Sequence, residues 1–106
     1  MTVANQAGCS IRAFVDGLNE KFAGDYHFDL MPGRKNVRIT RQSIHNGEID
    51  KWSRSVYCFI RKADGAILKA DSWKKPAAGV RCWLADVLAN NLSGVDQYTG
   101  WLYRGR

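Results

Sequence analysis

The residues from Lys69 to Arg81 read K-A-D-S-W-K-K-P-A-A-G-V-R, and their types suit one kind of chemistry, the binding of an anion. Pro76 fits the first position of a helix, because its fixed φ is already helical and its missing N–H would be unpaired there anyway. A helix N-terminus carries about half a positive charge. Lys74 and Lys75, placed just before it, each lose or forgo about 0.3–1 kcal/mol. An anion docked between the lysines and the helix start removes that penalty. Arg81 lies about a turn and a half inside the expected helix and reaches the same point with its long side chain. Lys69 completes the cationic set. Trp73 has two readings: a hydrophobic staple packed against a residue one turn inside the helix, or a surface on which a ligand stacks.

A second constellation lies in the strand before this segment. Val56, Cys58 and Ile60 share one face by alternation, and Tyr57, Phe59 and Arg61 share the other. With the aliphatic face packed on helices, Tyr57 and Phe59 look outward, and Arg38 and Lys69 from neighbouring strands join them. Aromatics among cations form a platform on which nucleobases stack, at about 1–3 kcal/mol per base. The opposing reading covers this face with the tail residues Trp101 and Tyr103, since large aromatics are usually buried somewhere.

Other chemistries lack their residues. There is no CxxC, no HxxxH and no carboxylate cluster at metal-ligand spacing, so neither a metal nor a cofactor is expected. His27 and His45 have no local partner. Gly65 to Lys75 contains Gly, Lys and Ser, but the second Gly of a phosphate loop is missing and the Lys–Ser order is wrong. A metal-dependent nuclease core needs an acid two residues before a Lys at a strand end. Here the nearest approach, Glu48-Ile49-Asp50-Lys51, falls in an expected loop. The expectation is a protein that binds and does not catalyse.

The elements that must carry these residues follow from periodicity. Ser10 is placed to cap a helix over about residues 10–23, after an expected flexible tail at 1–9. Ile11, Phe14, Val15, Leu18 and Phe22 form its apolar stripe, and Gly24 is its stop. Tyr26, Phe28 and Leu30 alternate as a half-buried strand. Pro32-Gly33 turns the chain into a second strand with Val37 and Ile39. Ser43 to Lys51, with Asn46-Gly47, reads as a loop or wide hairpin end. Trp52 to Lys62 is the strongest strand. Ala63-Asp64-Gly65 is a hairpin turn, and Ala66 to Ala70 is the return strand. From Pro76, Val80, Trp83, Leu84, Val87 and Leu88 are spaced as a second helix, ending at Asn90-Asn91. Trp101-Leu102-Tyr103 has the alternation of a short edge strand. The expected class is α+β: a helix, a four-stranded and mainly antiparallel sheet, a second helix, and a short C-terminal strand, all in one domain over residues 1–106.

A chain of 106 residues cannot build two cores, and 45% hydrophobic residues with four Trp is ample for one. No apolar run is long enough to span a membrane. The N-terminus has neither a basic n-region nor an apolar h-region, so no secretory signal is expected. Cys9, Cys58 and Cys82 are odd in number and far apart, which suits free thiols in a reducing cytoplasm. The net charge of +6 is uneven. Arg34 to Arg81 holds twelve Lys/Arg against four Asp/Glu, and the remainder four against six. A basic excess concentrated in the sheet region favours a polyanionic partner, either nucleic acid or an acidic protein surface.

The run Ser55-Val56-Tyr57-Cys58-Phe59-Ile60, the Asp64-Gly65 hairpin, Ile67-Leu68-Lys69-Ala70, Trp73-Lys74, Pro76-Ala77 and Arg81 resembles a segment of small, functionally uncharacterised proteins encoded by tailed bacteriophages. That segment reads as a strand, D/T-G, then I/V-x-K-A-x-x-W-K-x-P-A-x-x-x-R. The resemblance covers about a quarter of the chain. It implies a phage origin and a bacterial host cytoplasm, and it lends no catalytic residue. Lys75 falls at a variable position of the pattern.

Together these readings set an expectation of non-sequence-specific nucleic-acid binding through Arg38, Tyr57, Phe59, Lys69, Trp73, Lys74, Lys75 and Arg81. The alternatives are a modulator that binds an acidic host protein and, third, a minor structural protein of the virion.

Overall fold

A computed structural model describes residues 3–95 and Leu102. The chain runs α1 (Val3–Lys21), β1 (Tyr26–Pro32), β2 (Asn36–His45), β3 (Glu48–Ile49), a 3-10 turn (Lys51–Ser53), β4 (Ser55–Arg61), β5 (Ala66–Ala70), β6 (Pro76–Trp83) and α2 (Leu84–Ala89). The class is α+β, as the periodicity implies. The sheet has six strands rather than four, in the order β1-β2-β4-β5-β6 with β3 paired to β2, and every pairing is antiparallel.

The apolar stripe of α1 packs as its spacing requires. Ile11, Phe14, Val15 and Leu18 are buried against Phe28, Val37, Ile39, Cys58, Ile60 and Ile67 from one face of the sheet. Each such side chain contributes about 1.5–3 kcal/mol of hydrophobic stabilisation. Helix α1 begins at Val3, so Ser10 lies inside it and does not cap it. Gly17 lets Leu92 approach the helix: a Cβ there would sit 3.1 Å from the Leu92 side chain. Leu84, Leu92, Val95 and Leu102 complete the core from that side. Lys21 ties the same region down, its Nζ donating to the carbonyls of Leu92 and Val95 at 2.7 Å each.

Of the two readings of Ser43 to Lys51, a loop or a wide hairpin end, the structure shows the hairpin end. β2 runs on to His45, Asn46-Gly47 forms a tight turn, and β3 returns along β2 through Ile44–Ile49 and His45–Glu48. Trp52 belongs to the 3-10 turn and not to the strand after it. Asp50 accepts the backbone N–H of Trp52 and so ends the extended run.

The largest correction concerns Pro76. The residues from Pro76 to Trp83 form an edge strand, not the first turns of a helix, and helix α2 is confined to Leu84–Ala89. Pro76 pairs with Ala70 at the start of the strand, where its missing N–H costs little. Gly79 adopts φ +94°, which no helical residue can. Two irregularities explain why the spacing misleads. Val80 pairs with Leu68 and Cys82 with Ile67, so Arg81 is an extra residue on β6, and further residues are looped out between Pro76 and Val80. Bulges break the two-residue period and leave apolar positions three and four apart. Only Leu84, Val87 and Leu88 of the expected stripe are helical.

A bulge also resolves β4. Ile39 pairs with Cys58 and Thr40 with Val56, which leaves Tyr57 as the extra residue. Tyr57 therefore points the same way as Cys58, into the core, and meets Phe28 edge-on with centroids 5.1 Å apart. Phe59 faces the opposite side with Val56, Ala66, Leu68, Ala70 and Val80, a smaller apolar cluster on the face away from α1. The expected C-terminal strand at Trp101 and Tyr103 lies outside the described residues.

Candidate nucleic-acid interface

The face of the sheet away from α1 is where the cations gather. Arg38 stands on β2 opposite Phe59 of β4 and Met31 of β1. The loop between β5 and β6 folds back over this face. It is closed by backbone bonds from Asp71 and Ser72 to the carbonyl of Lys75, at 2.9 and 3.0 Å. This geometry carries Trp73 across β4 to β2. Arg38 Nε donates to the Trp73 carbonyl at 2.7 Å, and its guanidinium lies 4.6 Å from the Trp73 ring centroid and 5.8 Å from that of Phe59.

Two clefts flank this pair. The first, about 130 Å³, opens between the β1–β2 turn and the folded-back loop. Arg34, Lys35, Arg38 and Lys74 line it with Met31, Asn36 and Phe59, and among the described residues none of its walls carries Asp or Glu. Gly33 positions the turn by donating its N–H to Asn36 at 2.9 Å. The second cleft, about 300 Å³, is bounded by Val56, Lys69, Ala70, Asp71, Ser72 and Trp73, with Tyr57 contributing to its wall.

The expected site residues thus divide. Arg38, Phe59, Trp73 and Lys74 come together, though Phe59 is only 3% exposed and serves as a floor rather than a platform. Lys69 lines the second cleft. Tyr57, at 1% exposure, is a core residue and offers no outward ring. Lys75 is exposed on the loop and lines neither cleft. Arg81 is the bulged residue of β6, half-buried, and its Nε finds no hydrogen-bond partner among the described residues. The helix start that was to draw an anion between Lys74, Lys75 and Arg81 does not exist. The lysines instead lie at a hairpin end, where no helix dipole acts on them.

Arg34 and Lys35 are the site residues that the sequence reading passed over. Their signal was present in the order Pro32-Gly33-Arg34-Lys35, a turn followed at once by two cations. Arg61, which shares the Phe59 side of β4, is engaged by Asp64, with bonds of 3.0 and 2.9 Å to its two carboxylate oxygens. Asp64 also accepts the Ala66 N–H, and the Arg61 bond followed by that backbone bond holds its carboxyl below the usual range. Trp52, 94% exposed, projects from the 3-10 turn at the other end of β4.

Thiolate chemistry at Cys58 and Cys82 is suppressed. Burial pushes the Cys58 thiol well up, with a smaller contribution from Cys82, and burial followed by the charge of Asp86 pushes Cys82 up to about 11. Both remain neutral thiols at physiological pH. Among the described residues no group of three or more His, Cys, Asp or Glu could hold a metal ion, and no helix is long and apolar enough to cross a membrane.

No curated protein and no solved structure matches the chain. A family model does match, over residues 10–104, and with nearly the whole chain covered the protein belongs to that family, the family of unknown function DUF7717.

Proposed function

We propose that this protein is a small, non-enzymatic nucleic-acid-binding module that grips sugar–phosphate backbone in the cationic cleft. The observation that carries the reading is the convergence of Arg34, Lys35, Arg38 and Lys74, from a turn, a strand and a distant loop, on one cleft whose walls carry no Asp or Glu among the described residues. Four cations gathered on one cleft repel one another. Phosphate oxygens there relieve the repulsion and release counterions. The contacts are to backbone, so binding is independent of sequence. The concentration of twelve Lys/Arg against four Asp/Glu between Arg34 and Arg81 supports the same reading by drawing polyanions to the sheet half of the molecule. The resemblance to tailed-bacteriophage proteins supports a phage origin and action in the host cytoplasm.

The test is anisotropy of labelled DNA and RNA oligonucleotides between about 50 and 200 mM salt, a range over which phosphate-driven binding falls steeply. The double variant Lys35→Ala/Lys74→Ala should weaken binding to every sequence alike. It should also lower the log–log salt slope by about 0.7 per lost contact on single strands. Absence of binding even at the lowest salt would sink the proposal and leave an acidic host protein as the partner to seek.

A further inference from the structure

We infer that the second cleft, beside Trp73, is a base-stacking subsite, so that the preferred ligand is single-stranded nucleic acid; this rests on the nucleic-acid reading above. Trp73 is 38% exposed, although an apolar cluster lies close by on the same face of the sheet. Arg38 nonetheless holds both parts of the residue, the backbone through its bond to the Trp73 carbonyl and the indole through the guanidinium lying over the ring at 4.6 Å. A ring has two faces. Arg38 takes one, and Trp73 also lines the 300 Å³ cleft. An aromatic surface immobilised before binding loses little side-chain entropy when a flat ligand stacks on it.

The two clefts differ in what they accept. Arg38 lines the first and Trp73 the second, so the pair stands as the partition between them. The first has four cations and suits phosphate. The second has Val56 and Ala70 as apolar walls, and its polar walls, Lys69, Asp71 and Ser72, set one cation against one carboxylate. With its charges balanced it lacks the pull of four cations on phosphate, and its carboxylate accepts hydrogen bonds from the N–H groups of a base. The volume stands at the lower end of the range for small-ligand sites, about 300–1,000 Å³. One nucleotide placed across the partition puts its base against Trp73 and its phosphate among Arg34, Lys35, Arg38 and Lys74. Only an unpaired, unstacked base can enter, which excludes an intact duplex from this subsite.

The deciding comparison uses a thymidine dodecamer and a dodecamer of abasic sugar phosphates, which carry the same charge, measured by anisotropy at low salt. The thymidine strand should bind about tenfold more tightly. Trp73→Leu should abolish the difference between the two strands, even where the loss of the Arg38 contact lowers both affinities, and Trp73→Phe should keep most of the difference. Equal binding of the two strands by the native protein overturns the subsite while leaving the phosphate site intact. A parallel fall in both affinities for Trp73→Leu, with the difference between the strands kept, would show that Trp73 only holds Arg38 in place, and also overturns it. If neither strand binds, the proposed function fails and this inference falls with it.

Discussion

Arg38 and Trp73 meet through two different chemistries at once: an N–H donated to the Trp73 carbonyl at 2.7 Å, and a guanidinium over the indole at 4.6 Å. Thirty-five positions separate them in sequence. The pair fixes the fold-back of the β5–β6 loop and thereby brings Lys74 to the cleft. Arg38→Ala removes both contacts, and its expected cost is about 2 kcal/mol, the low ends of the ranges for a charged hydrogen bond and a cation–π contact, since the bond is exposed. Arg38→Lys keeps the charge but not the planar fork, and is expected to recover less than half of the loss. Urea unfolding measures the cost. Amide exchange at Asp71 and Ser72 locates it, since both N–H groups are bonded across the loop to Lys75.

On the opposite edge of the sheet, Asn19 does the work of a neighbouring strand. Its Nδ2 donates to the Phe28 carbonyl at 2.9 Å, and its Oδ1 accepts the Phe28 N–H at 2.7 Å. The side-chain amide thus reproduces the paired bonds of a peptide group and fastens helix α1 to the edge strand β1. Asn19→Ala leaves both Phe28 groups without that partner, and about 1–3 kcal/mol of stability should be lost. Asn19→Asp keeps the acceptor but sets a carboxylate against the Phe28 carbonyl. It should therefore destabilise at neutral pH and recover on acidification, when the protonated acid can donate. Denaturant midpoints at both pH values test this; a pH-independent Asn19→Asp variant would show that the donor half of the pair contributes nothing.

Alkaline pH should weaken the fold through its thiols. Cys82 titrates near 9 when unfolded and near 11 when folded, because burial, and then Asp86, disfavour the thiolate. Below pH 9 both states keep the proton and stability is unaffected. Between about 9 and 11 the unfolded chain sheds it first, so the folded state binds more protons and stability declines as pH rises. Cys58, buried and shifted further in the same direction, adds to the decline. Thermal midpoints should fall more steeply over this interval for the native chain than for Cys82→Ala. Identical slopes would exclude the Cys82 contribution.

What was legible in the sequence followed from local periodicity with no interruption. The stripe Ile11, Phe14, Val15, Leu18 specified helix α1 and its buried face, and Asp64-Gly65 specified the β4–β5 turn. The failures at Tyr57 and at Pro76 to Trp83 share one physical cause. Tyr57 and Arg81 are each an extra residue in a strand pairing, and an extra residue puts the alternation before it out of phase with the alternation after it. Neither Tyr57 nor Arg81 differs in type from residues in regular strands, so nothing local marked the bulge. For the site, charge showed which residues were cationic, but grouping Arg34 with Lys74 required the fold-back of a loop fixed by a tertiary contact. Residues far apart in sequence carry no periodic signal of such a meeting.

Gly79 offers a test in which the sign alone decides between the helical and the extended reading of this segment. In a helix starting at Pro76, Gly79→Ala would stabilise the protein by about 1 kcal/mol, since alanine is the best helix former and glycine among the worst. In β6 the backbone at Gly79 sits at φ +94°, where a Cβ is strained even though no atom lies within 4 Å of its position. Gly79→Ala should then destabilise by about 1–2 kcal/mol, through backbone strain with no steric clash to relieve. Gly79→Asn, which tolerates positive φ better than alanine, should lose less. Urea titration of the three proteins gives the order Gly, Asn, Ala for the strand. For a helix it would place Ala first.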